Sequence, residues 1–234
     1  MAISTYVLVH GAWHGGWCWA KVARLLRDAG HEVHTPTLTG LGERAHLARP
    51  EIDLETHIQD VVAMLEAEEL RQVTLVGHSY GGMVITGAAA RTSGRIGHLV
   101  YLDAFVPEAG KCVLDYVGER AAHMREAAVA HGEGWKVPSF SPERFGVSSQ
   151  RDTEWLTKHL VPQPLRTFEQ PLPAAGGERL KRTYVYCSKP AMGTFDQFAE
   201  RLRDDRKWTY HDVKTGHDAM VTAPGEIAKI LMGK

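Results

Sequence analysis

The stretch Val73-Thr74-Leu75-Val76-Gly77-His78-Ser79-Tyr80-Gly81-Gly82-Met83-Val84 decides the fold. A β-branched run ends at Val76, and Gly77-His78-Ser79-Tyr80-Gly81 then matches G-x-S-x-G, the strand-to-helix turn that exposes a serine hydroxyl. A motif this short occurs by chance, so its setting carries more weight than the match. A strand before it and a small-residue helix after it, able to pack closely on a sheet, supply that setting. The glycines answer a steric need, because a strained turn lets neighbouring chain pass only where Cβ atoms are missing. Placed there, Ser79 projects at the C-terminal edge of a parallel sheet, where open α/β folds bind ligands.

Working outward from this turn, short strand patterns alternate with helical ones, the signature of a parallel sheet covered by helices. Upstream, Thr5-Tyr6-Val7-Leu8-Val9 reads as a buried strand running into the turn His10-Gly11-Ala12. Trp17, Trp19, Val22, Leu25 and Leu26 follow at helical spacing, with Gly30 as the stop. Residues 32–36 form a shorter strand, and Asp53 caps a helix whose Leu54, Ile58, Val61, Val62 and Leu65 share a face. Downstream, residues 99–102 form the next strand, and after Pro107 the rhythm breaks into helical pieces and prolines with no strand expected. Residues 182–187 restore it. Thr194 and Gln197 then suggest a capping box for a helix presenting Phe195, Phe198, Ala199 and Leu202. Residues 207–213 give a last strand, and Pro224 opens a terminal helix burying Ile227, Ile230 and Leu231. The expected fold is α/β: a mostly parallel sheet flanked by helices over residues 1–107 and 182–234, with a helical cap inserted at 108–181. No internal repeat suggests a solenoid.

Composition narrows the function. Across 234 residues, 27 basic side chains nearly cancel 28 acidic ones, and 44% of residues are hydrophobic, which is ordinary globular composition. The balance removes the broad positive field on which nucleic-acid binding relies. No apolar run approaches the roughly 18 residues of a membrane helix, and Met1-Ala2-Ile3-Ser4-Thr5 has neither the basic nor the apolar region of a signal peptide. Cys18, Cys112 and Cys187 are scattered and odd in number, as expected for free thiols in the cytoplasm.

A serine hydroxyl is a weak nucleophile until a base takes its proton. Of 13 histidines, His217 is placed for that role: it follows the last strand in Lys214-Thr215-Gly216-His217-Asp218 and comes late in the chain. His10 and His78 belong to the motif turns and are read as shaping backbone there. His123, His131 and His159 fall in the insertion. The oxyanion of an acyl-transfer transition state needs donors. One is the backbone N–H after the nucleophile, at Tyr80, and the other is the Ala12 N–H, with Gly11 letting that loop approach the substrate. The glycines around His14-Gly15-Gly16-Trp17 do not make a phosphate cradle, since neither G-x-G-x-x-G nor a G-K-[ST] ending is present.

The run Val7-Leu8-Val9-His10-Gly11-Ala12-Trp13-His14-Gly15-Gly16-Trp17, the turn around Ser79, and Leu102-Asp103-Ala104-Phe105-Val106-Pro107 resemble the α/β-hydrolase superfamily. Within it they resemble the branch of plant methylesterases, hydroxynitrile lyases and bacterial small carboxylesterases such as pyrethroid hydrolases. The resemblance spans nearly the whole chain in strand order, more loosely in the insertion. It implies an esterase-type fold with a helical cap and no cofactor. Two departures matter. Hydroxynitrile lyases of this branch carry a threonine after the first histidine and a lysine after the catalytic one, where this chain has Gly11 and Asp218, so hydrolysis is favoured. Relatives also place an aspartate just past the strand ending near Cys187, where this chain reads Ser188-Lys189-Pro190.

The triad acid is therefore assigned to Asp103, at the end of the strand expected to neighbour the one bearing Ser79. Asp196, in the first turn of the next helix, is the rival, better suited there to the helix dipole. The expected activity is hydrolysis of a carboxylic ester, thioester or lactone of a small, largely apolar molecule through an acyl-enzyme on Ser79. Trp13, Phe105, Trp135, Trp155, Leu160 and Phe168 are the candidate pocket residues, each of which could equally be packing. The alternatives are a lyase or metabolite-tailoring reaction on the same triad, and a small-ligand receptor without turnover. No metal is expected, since no H-E-x-x-H or C-x-x-C spacing exists. The expected partners are a small ester and, as an assembly to test, a second copy of the chain, with neither nucleic acid nor membrane.

Overall fold

The computed structural model describes residues 3–92 and 94–233. Met1 and Ala2, which open the N-terminal stretch read for a signal peptide, lie outside the described residues. The chain begins with β1 (Thr5–Val9), a short helical turn and α1 (Ala20–Asp28), then β2 (Glu32–His34) and α2 (Leu54–Ala67). The central unit follows: β3 (Val73–His78), α3 (Gly81–Arg91) and β4 (Ile96–Leu102). Next come α4 (Arg120–His131), β5 (Lys136–Val137), α5 (Gln150–His159), β6 (Gln163–Pro164) and α6 (Arg166–Glu169). The chain returns through β7 (Lys181–Cys187), α7 (Asp196–Leu202) and β8 (Thr209–Val213), and ends in α8 (Ala219–Thr222) and α9 (Pro224–Leu231).

Six strands pair in parallel in the order β2-β1-β3-β4-β7-β8. A parallel sheet needs cover on both faces, and the strand residues show it. Along β1, Val7 and Val9 join one apolar cluster while Tyr6 and Leu8 join the other. The same alternation splits Leu99 and Tyr101 from Val100 and Leu102 on β4. Side chains from α2, α3 and α7 fill the first cluster, and those from α1, α8 and α9 the second.

Local chemistry sets the helix boundaries. The Asp53 carboxylate accepts the Thr56 N–H (3.0 Å) in a capping box that starts α2, and all five apolar residues expected on its face are buried. On α1 the face is narrower than its spacing suggests, for Leu25 stays 39% exposed. Adjacent residues lie about 100° apart on a helix, so Leu26 takes the inward position and Leu25 cannot. The Thr194–Gln197 capping box does not form. Instead α7 begins at Asp196, and the Gln197 amide donates to the Thr194 carbonyl (2.8 Å) and the Tyr116 carbonyl (3.0 Å). The expectation of no strand after Pro107 also needs correction, because β5 and β6 form a two-residue antiparallel pair. Runs this short, one ending in a proline, carry no period a sequence reading could detect.

Candidate active site

In the register of the central strands, His78 at the end of β3 pairs with Leu102 at the end of β4. The next residues, Ser79 and Asp103, therefore leave the same edge of the sheet side by side. Both turn through left-handed backbone, at φ 54° and 41°. This region is costly for residues with a Cβ and is kept where surrounding structure enforces it. Close backbone approach enforces it at Ser79: a Cβ on Gly77 would lie 2.6 Å from the Gly81 carbonyl oxygen. A Cβ on Gly11 would lie 2.8 Å from His78 Nδ1 and 2.9 Å from Ser79 Cβ, so the loop after β1 reaches the serine only as glycine.

His217 follows β8 and donates from Nδ1 to Asp103 Oδ2 at 2.7 Å. The other oxygen, Oδ1, accepts the Cys187 N–H at 3.1 Å, so the end of β7 anchors the carboxylate without supplying one. Asp103 and His217 are 1% and 3% exposed. Burial raises the Asp103 pKa, against the opposing effect of its bonds to His217 and Cys187. With Nδ1 committed to Asp103, Nε2 is the ring nitrogen left to act as a base. Phe195 stacks on the His217 ring at 4.9 Å between centroids, with the planes 8° apart. Asp196 faces elsewhere, accepting the Tyr186 hydroxyl at 2.8 Å.

Ser79 and His217 line one cavity together. Ala12 and Tyr80 line it as well. Among the described residues no protein acceptor takes the backbone N–H of either. The Gly11–Ala12 peptide is held by His10, whose Nδ1 donates to the Gly11 carbonyl (2.8 Å) while Nε2 accepts the Leu38 N–H (3.0 Å). Those roles require a neutral ring, and burial pushes its pKa down to about 3. Reading His10 as a residue that shapes backbone fits this geometry.

Of the candidate pocket residues, Trp13, Phe105 and Phe168 line the cavity, whereas Trp135, Trp155 and Leu160 do not. Trp155 packs edge-on against Trp17 (5.0 Å) in the cluster across the sheet. Trp135 lies under the Lys136 ammonium (4.7 Å), and Leu160 packs at the margin of the first cluster. Each is half-buried apolar surface turned away from this cavity, which composition alone cannot tell from a pocket wall. Residues the sequence reading missed, Val113, Val117, Met124, Phe140, Met192 and Phe195, complete the apolar wall, with Arg120 the one residue of formal positive charge. Phe195 had a usable signal, since it follows β7, the strand paired with the one that ends before Asp103. The methionines had none.

Trp13 joins the loop after β1 to the insertion. Its N–H donates to Gln163 Oε1 (3.0 Å), its indole N–H to the Val137 carbonyl (2.9 Å), and its carbonyl accepts the Val161 N–H (3.0 Å). Among the described residues no cluster of three His, Cys, Asp or Glu side chains is arranged to hold a metal ion, and no helix is long and apolar enough to cross a membrane.

The sequence profile of the Alpha/beta hydrolase family matches residues 6–230. The "Carbendazim hydrolyzing esterase" of Nocardioides sp. (strain SG-4G) is 43% identical over 240 residues, covering 98% of each chain. The pFDCC methylesterase MES16 of Arabidopsis thaliana is 29% identical over 215 residues, covering 84% of this chain and 80% of that one. In backbone, the chain is similar to an extracellular alpha/beta-hydrolase from a Paenibacillus species, with a TM-score of 0.84, 23% identity and 98% of each chain covered.

Proposed function

The chain belongs to the alpha/beta hydrolase family and is an ester-cleaving hydrolase, and we propose that it works through an acyl-enzyme on Ser79, on carboxylic esters of small, largely apolar molecules. One observation carries this reading. The His217–Asp103 hydrogen bond of 2.7 Å lies at the wall of the cavity that Ser79, and the unclaimed Ala12 and Tyr80 N–H groups, also line. In the proposed mechanism Ser79 Oγ attacks the ester carbonyl carbon and its proton passes to His217 Nε2. The carbonyl oxygen, now negative, accepts from the Ala12 and Tyr80 N–H groups, a contact stronger in the transition state than in the ground state. The alcohol leaves with the proton from His217. Water, deprotonated by His217, then attacks the acyl carbon and releases the acid and free Ser79. Asp103 holds the imidazole in the tautomer that leaves Nε2 basic and stabilises the imidazolium.

The insertion, residues 108–181, acts in this reading as a cap whose Val113, Val117, Met124, Phe140 and Phe168 exclude water and select the substrate. The test is turnover of short-chain p-nitrophenyl esters, with carbendazim in the panel because a relative is named for hydrolysing it. Turnover is expected in the parent and a loss to background in Ser79→Ala. Retention of turnover within tenfold in that variant would overturn the acyl-enzyme.

A further inference from the structure

Buried next to His217 in the chain lies a second histidine–carboxylate pair that the proposed reaction does not use directly. His14, in the loop after β1, places Nε2 at 3.1 Å from Asp218 Oδ2 and Nδ1 at 2.7 Å from the Ala12 carbonyl oxygen. The two residues are 1% and 0% exposed. A backbone carbonyl and a carboxylate are acceptors only, so both ring nitrogens must carry hydrogen. A proton between imidazole and carboxylate resides on the imidazole, the stronger base. His14 is therefore an imidazolium. Burial alone would lower its pKa, but the charge of Asp218 and the bonds to Asp218 and Ala12 prevail and raise it. A bare carboxylate at the site of Asp218 would be strongly disfavoured, and the cation beside it compensates.

The surroundings tie this pair to the site. Asp218 directly follows His217, and its N–H donates to the Phe145 carbonyl (3.1 Å). His78, next to Ser79, donates from Nε2 to the His217 carbonyl (3.0 Å) and lies 4.0 Å from Asp218 Oδ1. Burial, then the charges of His217 and His14, hold His78 well below its ordinary pKa and keep it neutral. Trp17 stacks on His14 at 5.4 Å between centroids. The loop carrying the oxyanion donor and the loop carrying the base are thus fastened to each other through one buried bond.

We propose that His14 and Asp218 are positioning residues, a tether that holds the Ala12 N–H and His217 in mutual register around Ser79. The proposal rests on the ester-hydrolase reading for its kinetic consequence and on geometry alone for the bond. Catalysis is sensitive to such register, since misplacement by about 1 Å can cost on the order of a hundredfold in rate. An amide at 218 can donate to a neutral His14 and keep the link, whereas alanine cannot.

The test compares Asp218→Ala, His14→Ala, the double variant and Asp218→Asn by kcat, KM and thermal unfolding, with ¹⁵N NMR of the His14 ring in the resting parent protein. Each alanine variant should lose roughly 10- to 100-fold in kcat with KM within about threefold. The double variant should lose no more than the worse single one, because one bond is removed either way. Asp218→Asn should recover about tenfold over Asp218→Ala, and both His14 nitrogens should be protonated in the parent. Folded alanine variants with kcat within about threefold of the parent, or a neutral His14 ring, would overturn the tether. The NMR reading needs no turnover, so a parent inactive on every ester would sink the hydrolase reading and leave a doubly protonated His14 standing.

Discussion

The sheet edge brings Ser79, Asp103 and His217 from turns after β3, β4 and β8, whereas the insertion between β4 and β7 brings Val113, Val117, Met124, Phe140 and Phe168 to the same cavity. The two regions are held by different physics. At the edge, pairing of His78 with Leu102 fixes backbone register, and one buried hydrogen bond fixes each Asp103 oxygen. In the insertion the wall is apolar contact, which is non-directional and tolerates exchange of one side chain for another of similar volume. Changes at the edge should therefore remove the reaction, and changes in the insertion should re-rank substrates.

The largest effect is expected at Asp103. Asp103→Asn should cost up to about 10⁴ in kcat with the fold intact, by analogy with the serine-protease triad, because the amide favours the wrong imidazole tautomer. Asp196→Asn should stay within a few-fold, since Asp196 accepts from Tyr186 instead. Steady-state kinetics of the two variants decide it, and the reverse order would move the acid to the loop after β7.

Acid should act next, through the sheet core. Burial holds His10 at about 3 and His98 at about 4. His57, His78 and His211 are lowered too, whereas His14 is held above its ordinary value. At His10 and His98 the unfolded chain takes up protons as pH falls below about 6.5, while the folded chain does not until about pH 3 and 4 respectively. The contribution of these lowered histidines is full above about pH 6.5 and falls as pH drops toward 4, by an amount on the order of a few kcal/mol, while that of His14 runs the other way and is lost as pH rises. Urea unfolding midpoints at pH 7, 6, 5 and 4 measure this, and a flat series would contradict it.

The insertion offers the smallest effects and the sharpest internal contrast. Phe168→Ala, inside the cavity, should shift the ranking of short against bulky esters by roughly 10- to 100-fold in kcat/KM. Trp155→Ala, on the same insertion but packed on Trp17, should leave that ranking unchanged. It should lower Tm by about 2–4 °C for each kcal/mol of packing lost. If Trp155→Ala re-ranked substrates and Phe168→Ala did not, the division of the insertion into wall and packing would fail.

The same contrast explains what could be read from the residues. The turn at Ser79, the strand-end position of Asp103 and the loop of His217 follow from strand order and steric demands that leave few alternatives. The insertion gave no such purchase. Trp135, Trp155 and Leu160 have the composition of a pocket wall yet face elsewhere, while Met124 and Phe140 line the cavity without any local mark. Which face of a helix meets a cavity depends on how the insertion docks, and that docking runs through Trp13, Gln163 and Val137, which are far apart in sequence. His14 and Asp218 lie 204 positions apart, and only the fold reveals them as partners.

The central claim is that Ser79 is the group that becomes acylated. Treatment with a serine-reactive p-nitrophenyl phosphonate, followed by peptide mass spectrometry, tests it directly. One adduct per chain is expected, on Ser79, with ester turnover lost in proportion to labelling and no labelling in Ser79→Ala. An adduct on any other residue, or full ester turnover in protein labelled at Ser79, would contradict it.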